Sequence, residues 1–462
     1  MYIQFFGATQ EVTGSCYLIK VGDNKILVEC GLVQGSYNHE NHNYDTFPFD
    51  IESIDAVILT HAHLDHSGKV PLLYKRGYRG PVYTHNATVD LCNILFQDAG
   101  YLNERSAFRQ NKKRQRNGQS PIEPLYTKSE GLLTLDLFKG LTYKTPAEIL
   151  PSIKLTLHDA GHILGSSIVE LELTENNKTR TIVFSGDLGH KDAPILKDPT
   201  VVESADLVVM ESTYGDRNHR SWKETWDEMG EIISSAKHGK GNILIPAFAV
   251  GRTQELLYVF KRNYNDWMIK NWNIFLDSPM AIKATDVYAK HHLVYDQDAA
   301  AVRQNDGTLF GLSNLHFSQS TESSMKINQI KSGAIVIAGS GMCNGGRIKH
   351  HFEHNISRKH AHILIVGFQA RGTLGRALVD GTKKVNLWGK SFPVRARIHT
   401  VGGLSAHADQ QGLIDWYSGF KNKPKVALVH GEPDAMSSLA IKLTEEKNAE
   451  VLRVSYKEKI EL

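Results

Sequence analysis

Apolar runs that stop at a polar or glycine-rich turn, each followed by a helical segment, recur through most of this chain. That alternation constrains the fold more than any other feature. Asp55-Ala-Val-Ile-Leu-Thr60, Thr181-Ile-Val-Phe-Ser-Gly-Asp187, Leu207-Val-Val-Met-Glu211 and Asn242-Ile-Leu-Ile-Pro246 are of this kind. So are Ile274-Phe-Leu-Asp-Ser-Pro279, Ala334-Ile-Val-Ile-Ala-Gly339, His362-Ile-Leu-Ile-Val-Gly367 and Lys425-Val-Ala-Leu-Val-His430. Continuous apolar strands need cover on both faces, so helices must flank the sheets and the class is α/β. Ligands in such folds gather beyond the carboxyl ends of the strands, and the polar residues here fall at those ends. The N-terminal part differs. Tyr2–Phe6, Cys16–Val21 and Lys25–Glu29 are short apolar runs divided by Gly, Asp and Asn, which reads as antiparallel strands with tight turns. A helical stretch is expected over Ser67–Arg76.

Composition narrows the class further. The 462 residues carry 53 Lys and Arg against 50 Asp and Glu, a balance of +3. That excludes a polycation, so any basic surface must be local. A hydrophobic content of 41% excludes a disordered chain. No apolar run approaches the roughly 18 residues of a membrane span, and the first residues lack the basic and apolar regions of a signal peptide. Four scattered cysteines suit a reducing compartment, so a cytoplasmic protein is expected. There is no short-period repeat and no low-complexity linker. Tyr101–Glu130 stands apart as a polar stretch with Lys112-Lys-Arg-Gln-Arg116. It reads either as a solvated insertion or as an electrostatic arm for a polyanion.

Histidine is the anomaly, with 22 residues. His61-Ala-His63-Leu-Asp65-His66 follows a buried strand. Three imidazoles so close would repel if protonated, and they make sense as neutral metal ligands with the aspartate beside them. One loop cannot easily wrap a single ion tetrahedrally. The spacing suggests two ions, His61 and His63 on one, Asp65 and His66 on the other. Further ligands should come from other strand ends. His162 sits in the Gly-flanked turn Asp159-Ala-Gly-His-Ile-Leu-Gly-Ser166, Asp187 ends the strand Ile182–Ser185, and His430 ends the strand Val426–Val429.

With these residues in view, the chain resembles a metallo-β-lactamase-fold hydrolase of the β-CASP group of nucleases. That group includes the endonuclease subunit of the eukaryotic pre-mRNA 3′-end cleavage factor and its bacterial ribonuclease relatives in RNA processing. Beyond the metal motifs, the matching stretches are Glu211 in Met-Glu-Ser-Thr-Tyr-Gly215, His407 in Gly402-Gly-Leu-Ser-Ala-His-Ala-Asp409, and His430 in Leu428-Val-His-Gly-Glu432. Others are Ala247-Phe-Ala-Val-Gly-Arg-Thr-Gln-Glu-Leu256, Asp277-Ser-Pro-Met-Ala281, Ser340-Gly-Met-Cys-Asn-Gly-Gly-Arg347 and Gly367-Phe-Gln-Ala-Arg-Gly-Thr-Leu-Gly-Arg376. The chain departs from the family at one early strand end, which usually reads Asp-Cys-Gly and here is Glu29-Cys30-Gly31. The longer side chain could shift the orientation of the histidine loop.

The resemblance implies a four-layer αββα metallo-β-lactamase domain in two parts, residues 1–214 and 395–462, interrupted by an α/β β-CASP domain over residues 215–394. It implies two Zn²⁺ ions per chain. One would be held by His61, His63 and His162, the other by Asp65, His66 and His430, with Asp187 bridging. The implied activity is a zinc-dependent endoribonuclease. It would hydrolyse phosphodiester bonds of single-stranded RNA by a metal-bridging hydroxide and leave 5′-phosphate and 3′-OH ends. The catalytic residues would be Asp65 and Asp187, His407 as general acid and Glu211 as its partner. The substrate would lie in a cleft between the domains. Arg252, Arg347, Arg371, Arg376, and Ser340 and Gly341 in their glycine-rich turn are candidate phosphate contacts. Phe368 and Tyr214 are candidate stacking residues. A DNA strand and a homodimer stay open, and no membrane is expected. The alternatives are a 5′-exonuclease or DNA nuclease of the same family and a two-zinc hydrolase of small esters or lactams. A non-catalytic scaffold and a diiron redox enzyme are remoter.

Overall fold

The computed structural model describes residues 1–35, 37–238 and 241–462. The chain forms two compact units. One comprises Met1–Ala193, Lys197–Asn218 and His407–Leu462, the other Pro194–Leu196 and His219–Ala406.

The first unit holds two seven-stranded sheets. The first runs, in spatial order, Lys459–Glu461, Tyr2–Gly7, Cys16–Val21, Asn24–Val28, Ala56–Ile58, Val82–His85 and Phe138–Leu141. The second runs Val451–Arg453, Lys425–Val429, Leu207–Glu211, Lys178–Phe184, Ser167–Glu175, Ile153–Asp159 and Ala147–Leu150. Alternate residues of the two sheets meet in one core. Ile3, Phe5, Tyr17, Ile19 and Val28 from the first pack with Leu155, Leu157, Val169, Leu171, Phe184 and Val209 from the second. The opposite face of the second sheet, through Val183, Val208, Met210 and Leu428, packs under helices Gln410–Tyr417 and Pro433–Lys447. The helix Asn86–Arg116 packs on Val82–His85 and Phe138–Leu141 of the first sheet, so the four layers are helix, sheet, sheet, helix, as expected. The N-terminal strands are antiparallel, also as expected.

The second unit is built on a six-stranded sheet, Leu315–Phe317, Asn273–Leu276, Ala334–Ala338, Ile243–Pro246, His362–Ile365 and Arg397–Thr400. All its pairings are parallel, which accounts for the continuous Ile/Val/Leu runs seen in the sequence.

Two elements differ from the sequence reading. The helix expected over Ser67–Arg76 is split into Leu64–Ser67 and Val70–Lys75. Between them the Lys69 backbone N–H donates to the Cys30 carbonyl, and Pro71 lies in the first turn of the second piece, where a missing N–H costs nothing. The polar stretch from Tyr101 is not a separate insertion at its start, because one helix runs through it, Asn86–Arg116. No helix among the described residues is long and apolar enough to cross a membrane.

Candidate metal centre

Parallel strands bring the candidate ligands together. Leu207–Glu211 lies between Lys178–Phe184 and Lys425–Val429, and the register sets Glu211 level with Val429. Asp187, Glu211 and His430 thus project from one edge of one sheet. The histidine loop follows Ala56–Ile58 of the facing sheet and is strapped down by backbone hydrogen bonds. Cys30 N–H donates to His66, Leu32 N–H to Leu64 and Ser15 N–H to Asp65. Gly31 permits this close approach, since a Cβ there would come within 1.6 Å of the Asp65 carbonyl oxygen.

The donor atoms fall into two sets. In the first, His63 Nδ1 lies 3.2 Å from both His61 Nε2 and His162 Nε2. Asp187 Oδ2 lies 3.4 Å from His61 Nε2 and 3.5 Å from His162 Nε2. In the second, His66 Nε2 lies 3.2 Å from His430 Nε2 and 3.3 Å from Asp187 Oδ1, and Asp65 Oδ2 lies 3.6 Å from His430 Nε2. A tetrahedral ion with bonds of about 2.0–2.1 Å separates its ligands by about 3.3–3.4 Å. The spacings of the first set fit such an ion, and Asp187 Oδ1 reaches from it to His66 of the second, where Asp65, His66 and His430 gather. Asp187 Oδ1 is also buried without a hydrogen bond, which is costly for a carboxylate oxygen unless a cation faces it.

The rings of the site are tuned in opposite directions: at His66 burial would lower the pKa, but Asp187 and Glu29 outweigh it and raise it well above the usual imidazole range. Burial holds His61 and His63 below the ordinary imidazole range, so neutral, ligand-competent rings are favoured. Burial alone would raise the Asp187 carboxyl, but His66, His430, His407 and His61 outweigh it and hold it well below the usual range. At Asp65 likewise, burial is outweighed by His430 and His66.

The partners one layer out were the least legible part of the site. Thr60 Oγ1 lies 2.9 Å from His61 Nδ1, and Thr213 Oγ1 lies 3.0 Å from His430 Nδ1. Each fixes which ring nitrogen faces the donor set. The only sequence signal was position, Thr60 directly before His61 and Thr213 two residues after Glu211. Glu29 stands beside His66 as a close ion pair. Its Oε1 accepts from Thr60 N–H at 2.6 Å and its Oε2 lies 3.1 Å from His66 Nδ1. The extra methylene is thus accommodated with His66 still in place. Glu29→Gln would turn an amide N–H₂ toward either Thr60 N–H or His66 Nδ1–H. Metal affinity, read by competition with a chromogenic chelator, is expected to fall about 10–100-fold.

His407 stands at the rim of the donor sets. Its Nδ1 lies 3.2 and 3.3 Å from the two oxygens of Glu211 and 3.9 Å from Asp187 Oδ2. Glu211 is itself oriented by the Leu188 N–H, at 2.6 Å. Burial would lower the His407 pKa, but Glu211 and Asp187 raise it to about 9. The Tyr214 ring is centred 6.2 Å from the His407 ring.

The candidate phosphate residues belong to the second unit. Arg252 is buried and committed to Glu255 and the Leu404 carbonyl. Arg347 donates to Asp277 Oδ1 at 2.7 Å and to the carbonyls of Ser318 and Gln319. Both guanidiniums are engaged by the protein itself. Arg376 pairs with Asp380, whereas Arg371 and Phe368 are exposed. Ser340 lies in a turn closed by its contacts with Gly345, and Gly341 packs under the Phe248 ring, which a Cβ would strike at 2.7 Å.

Three family models match the chain. Residues 9–134 match the metallo-beta-lactamase superfamily, residues 253–378 the Beta-Casp domain, and residues 391–454 the Zn-dependent metallo-hydrolase RNA specificity domain. Ribonuclease TTHA0252 of Thermus thermophilus is 37% identical over 444 residues, 95% of this chain and 95% of that protein. Transcription termination factor FttA of Methanocaldococcus jannaschii is 32% identical over 93% of this chain and 67% of its own length. FttA of Methanosarcina mazei is 33% identical over 94% and 67%. A crystal structure of a protein of unknown function from Enterococcus faecalis superposes with a TM-score of 0.55 at 13% identity, covering 100% of this chain and 99% of that one. That last likeness concerns the fold alone.

Proposed function

This chain belongs to the β-CASP family of metallo-β-lactamase-fold, metal-dependent hydrolases, and we propose that it is a zinc-dependent endoribonuclease acting on single-stranded RNA. The observation that carries the reading is the pair of donor sets sharing Asp187, with His407 at their rim. The substrate class is supported by the ribonuclease name of the Thermus relative and by the matched RNA specificity domain.

In this reading His61, His63, His162 and Asp187 hold one zinc ion, and Asp65, His66, His430 and Asp187 the other. A zinc pair supplies a nucleophile from water at neutral pH and Lewis-acid stabilisation of charge on phosphoryl oxygens. The chain's own groups do the rest. Asp187, through its two oxygens, holds the two donor sets at a fixed separation. Thr60 and Thr213 hold the ring orientations. Glu211 engages His407 at Nδ1, so the Nε2 edge of that ring is the one that delivers a proton to the leaving oxygen. Such a reaction does not use the 2′-OH and leaves 5′-phosphate and 3′-OH ends.

The test is cleavage of internally labelled single-stranded RNA and of matching DNA by protein of known metal content. The same protein, stripped by chelator and reloaded with zinc, runs alongside. Internal cuts in RNA that vanish on stripping and return with zinc are expected. Stepwise trimming from the 5′ end would replace the endonuclease with an exonuclease, and no cleavage with two zinc ions bound would refute the nuclease reading. His407→Ala is expected to slow cleavage about 10²–10⁴-fold at unchanged zinc content. Loss of zinc in that variant would make His407 a ligand instead.

A further inference from the structure

The helix Asn86–Arg116 carries two different faces along its C-terminal half. One is packed. Gly100 lies against the Thr127 backbone, Ala107 is buried, Asn111 exchanges hydrogen bonds of 2.9 and 2.8 Å with the Ile122 backbone, and Arg114 donates to the Ser120 carbonyl. The other presents Tyr101, Arg105, Phe108 and Lys112, spaced four, three and four residues apart and so aligned along one stripe. Arg109 and Arg116 flank it. Both aromatic rings are unusually open, Tyr101 at 47% and Phe108 at 62% exposure. Each is accompanied by a cation. The Arg105 guanidinium lies 5.5 Å from the Tyr101 ring centre and Lys112 Nζ 4.6 Å from that of Phe108.

These charges are not those of an ordinary solvated helix. Elsewhere in this protein, exposed helices neutralise their cations one turn away, as in Lys223–Asp227, Lys326–Glu322, Arg376–Asp380 and Lys442–Glu446. From Tyr101 to Arg116 there are six cations and one carboxylate, Glu104. Among the described residues, none of Arg105, Arg109, Lys112, Lys113 and Arg116 is in an ion pair.

We propose that this stripe is a track for single-stranded RNA, with phosphates on the cations and bases stacked on Tyr101 and Phe108. The proposal rests on the ribonuclease reading and extends it. Aromatic faces interleaved with cations suit unpaired bases better than an acidic peptide, which has no use for the rings. The helix is also rooted beside the donor sets, since Thr88 Oγ1 donates to the carbonyl of Gly165, three residues past His162. At about 1.5 Å per residue, the stripe begins about 22 Å along the helix from Asn86. A stacked strand covers that distance in about seven nucleotides at about 3.4 Å each.

Short and long substrates should therefore respond differently. A hexanucleotide cut at its centre falls short of the stripe, and a strand of about 30 nucleotides spans it. Replacing Arg105, Arg109 and Lys112 together by Glu is expected to raise KM for the long RNA tenfold or more and leave hexanucleotide cleavage unchanged. Three lost phosphate contacts, at about 0.7 counter-ions each, should lower the slope of log affinity against log salt by about 2. Tyr101→Ala with Phe108→Ala should weaken single-stranded binding about tenfold, with the salt slope and duplex binding unchanged. Unaltered KM and affinity for the long RNA in both variants would overturn the track. So would equal loss on short and long substrates, or binding of polyglutamate as tight as that of RNA. If the zinc-loaded wild type cut neither RNA, yet bound the long RNA in chelator and lost it on the triple substitution, the ribonuclease reading would fail and the track would stand.

Discussion

Asp187→Ala is expected to remove metal binding and RNA cleavage together. The reason is geometric. Oδ2 of this one carboxylate closes the set of His61, His63 and His162, and Oδ1 reaches His66 of the second set. Among the described residues, no other side chain of the first set comes within 3.5 Å of a donor atom of the second in a carboxylate contact. Without it the first set is reduced to three imidazoles, and the carboxylate that touches both His61 and His66 is gone. Loss of a group one layer out typically costs 10–100-fold in metal affinity, and loss of the shared ligand should exceed that at both sites. Metal analysis after dialysis should fall from about two ions per chain to less than one, with no detectable cut in labelled RNA. Asp187→Asn should behave alike, because its amide nitrogen offers no lone pair to one of the two sets. A variant that kept both ions would show that Asp187 is not their bridge.

The second large effect is on stability and lies far from the donor sets in sequence. Asp277 is fully buried at the end of the strand Asn273–Leu276. It accepts from Arg347 at 2.7 Å, from His351 Nε2 at 2.6 Å and from Ser324 at 2.6 Å. Asp277→Ala would leave a half-buried guanidinium and a buried imidazole without their anion, and about 3–5 kcal/mol of destabilisation is expected. It should be visible as a lower denaturant midpoint with no change in metal content. Burial would raise the Asp277 carboxyl, but His351, Ser324 and Arg347 outweigh it and hold it at about 2, against an ordinary 3.8. The carboxylate's contribution is therefore present in full above about pH 4 and is lost as pH falls toward 2. Acid unfolding followed by circular dichroism should show that window narrowed in the Asp277→Ala variant. An unchanged acid transition would count against the cluster as a stabilising unit.

That cluster illustrates what could and could not be read from the residues. Asp277-Ser-Pro-Met-Ala281 and the turn ending at Arg347 were both recognisable as matched stretches, and Arg347 looked like a free phosphate ligand. A sequence shows that an arginine follows a glycine-rich turn, but not that a buried aspartate from another strand already faces it. Arg252 was misleading for the same reason, its partner Glu255 lying one helical turn away. The donor sets were legible because four of their residues are adjacent, His61 to His66, and the others fall at ends of strongly apolar strands. Glu29 was visible only as a departure from a family pattern, since its double contact depends on two backbone loops meeting. The helix through Tyr101–Arg116 escaped because its polar residues carry no apolar period, and a few contacts, at Gly100, Ala107 and Asn111, fix one of its faces.

The order of segments within the first unit has a temporal consequence. His66 and His430 touch across 364 residues of chain, and the strand that delivers His430 slots beside Leu207–Glu211 only after the whole of the second unit has been made. A nascent chain emerging from the ribosome holds Asp65, His66 and Asp187 but neither His430 nor His407. Such a chain has the first donor set in hand, while the second still lacks His430. The return of the strand Lys425–Val429 thus completes the second donor set only once the second unit has been made.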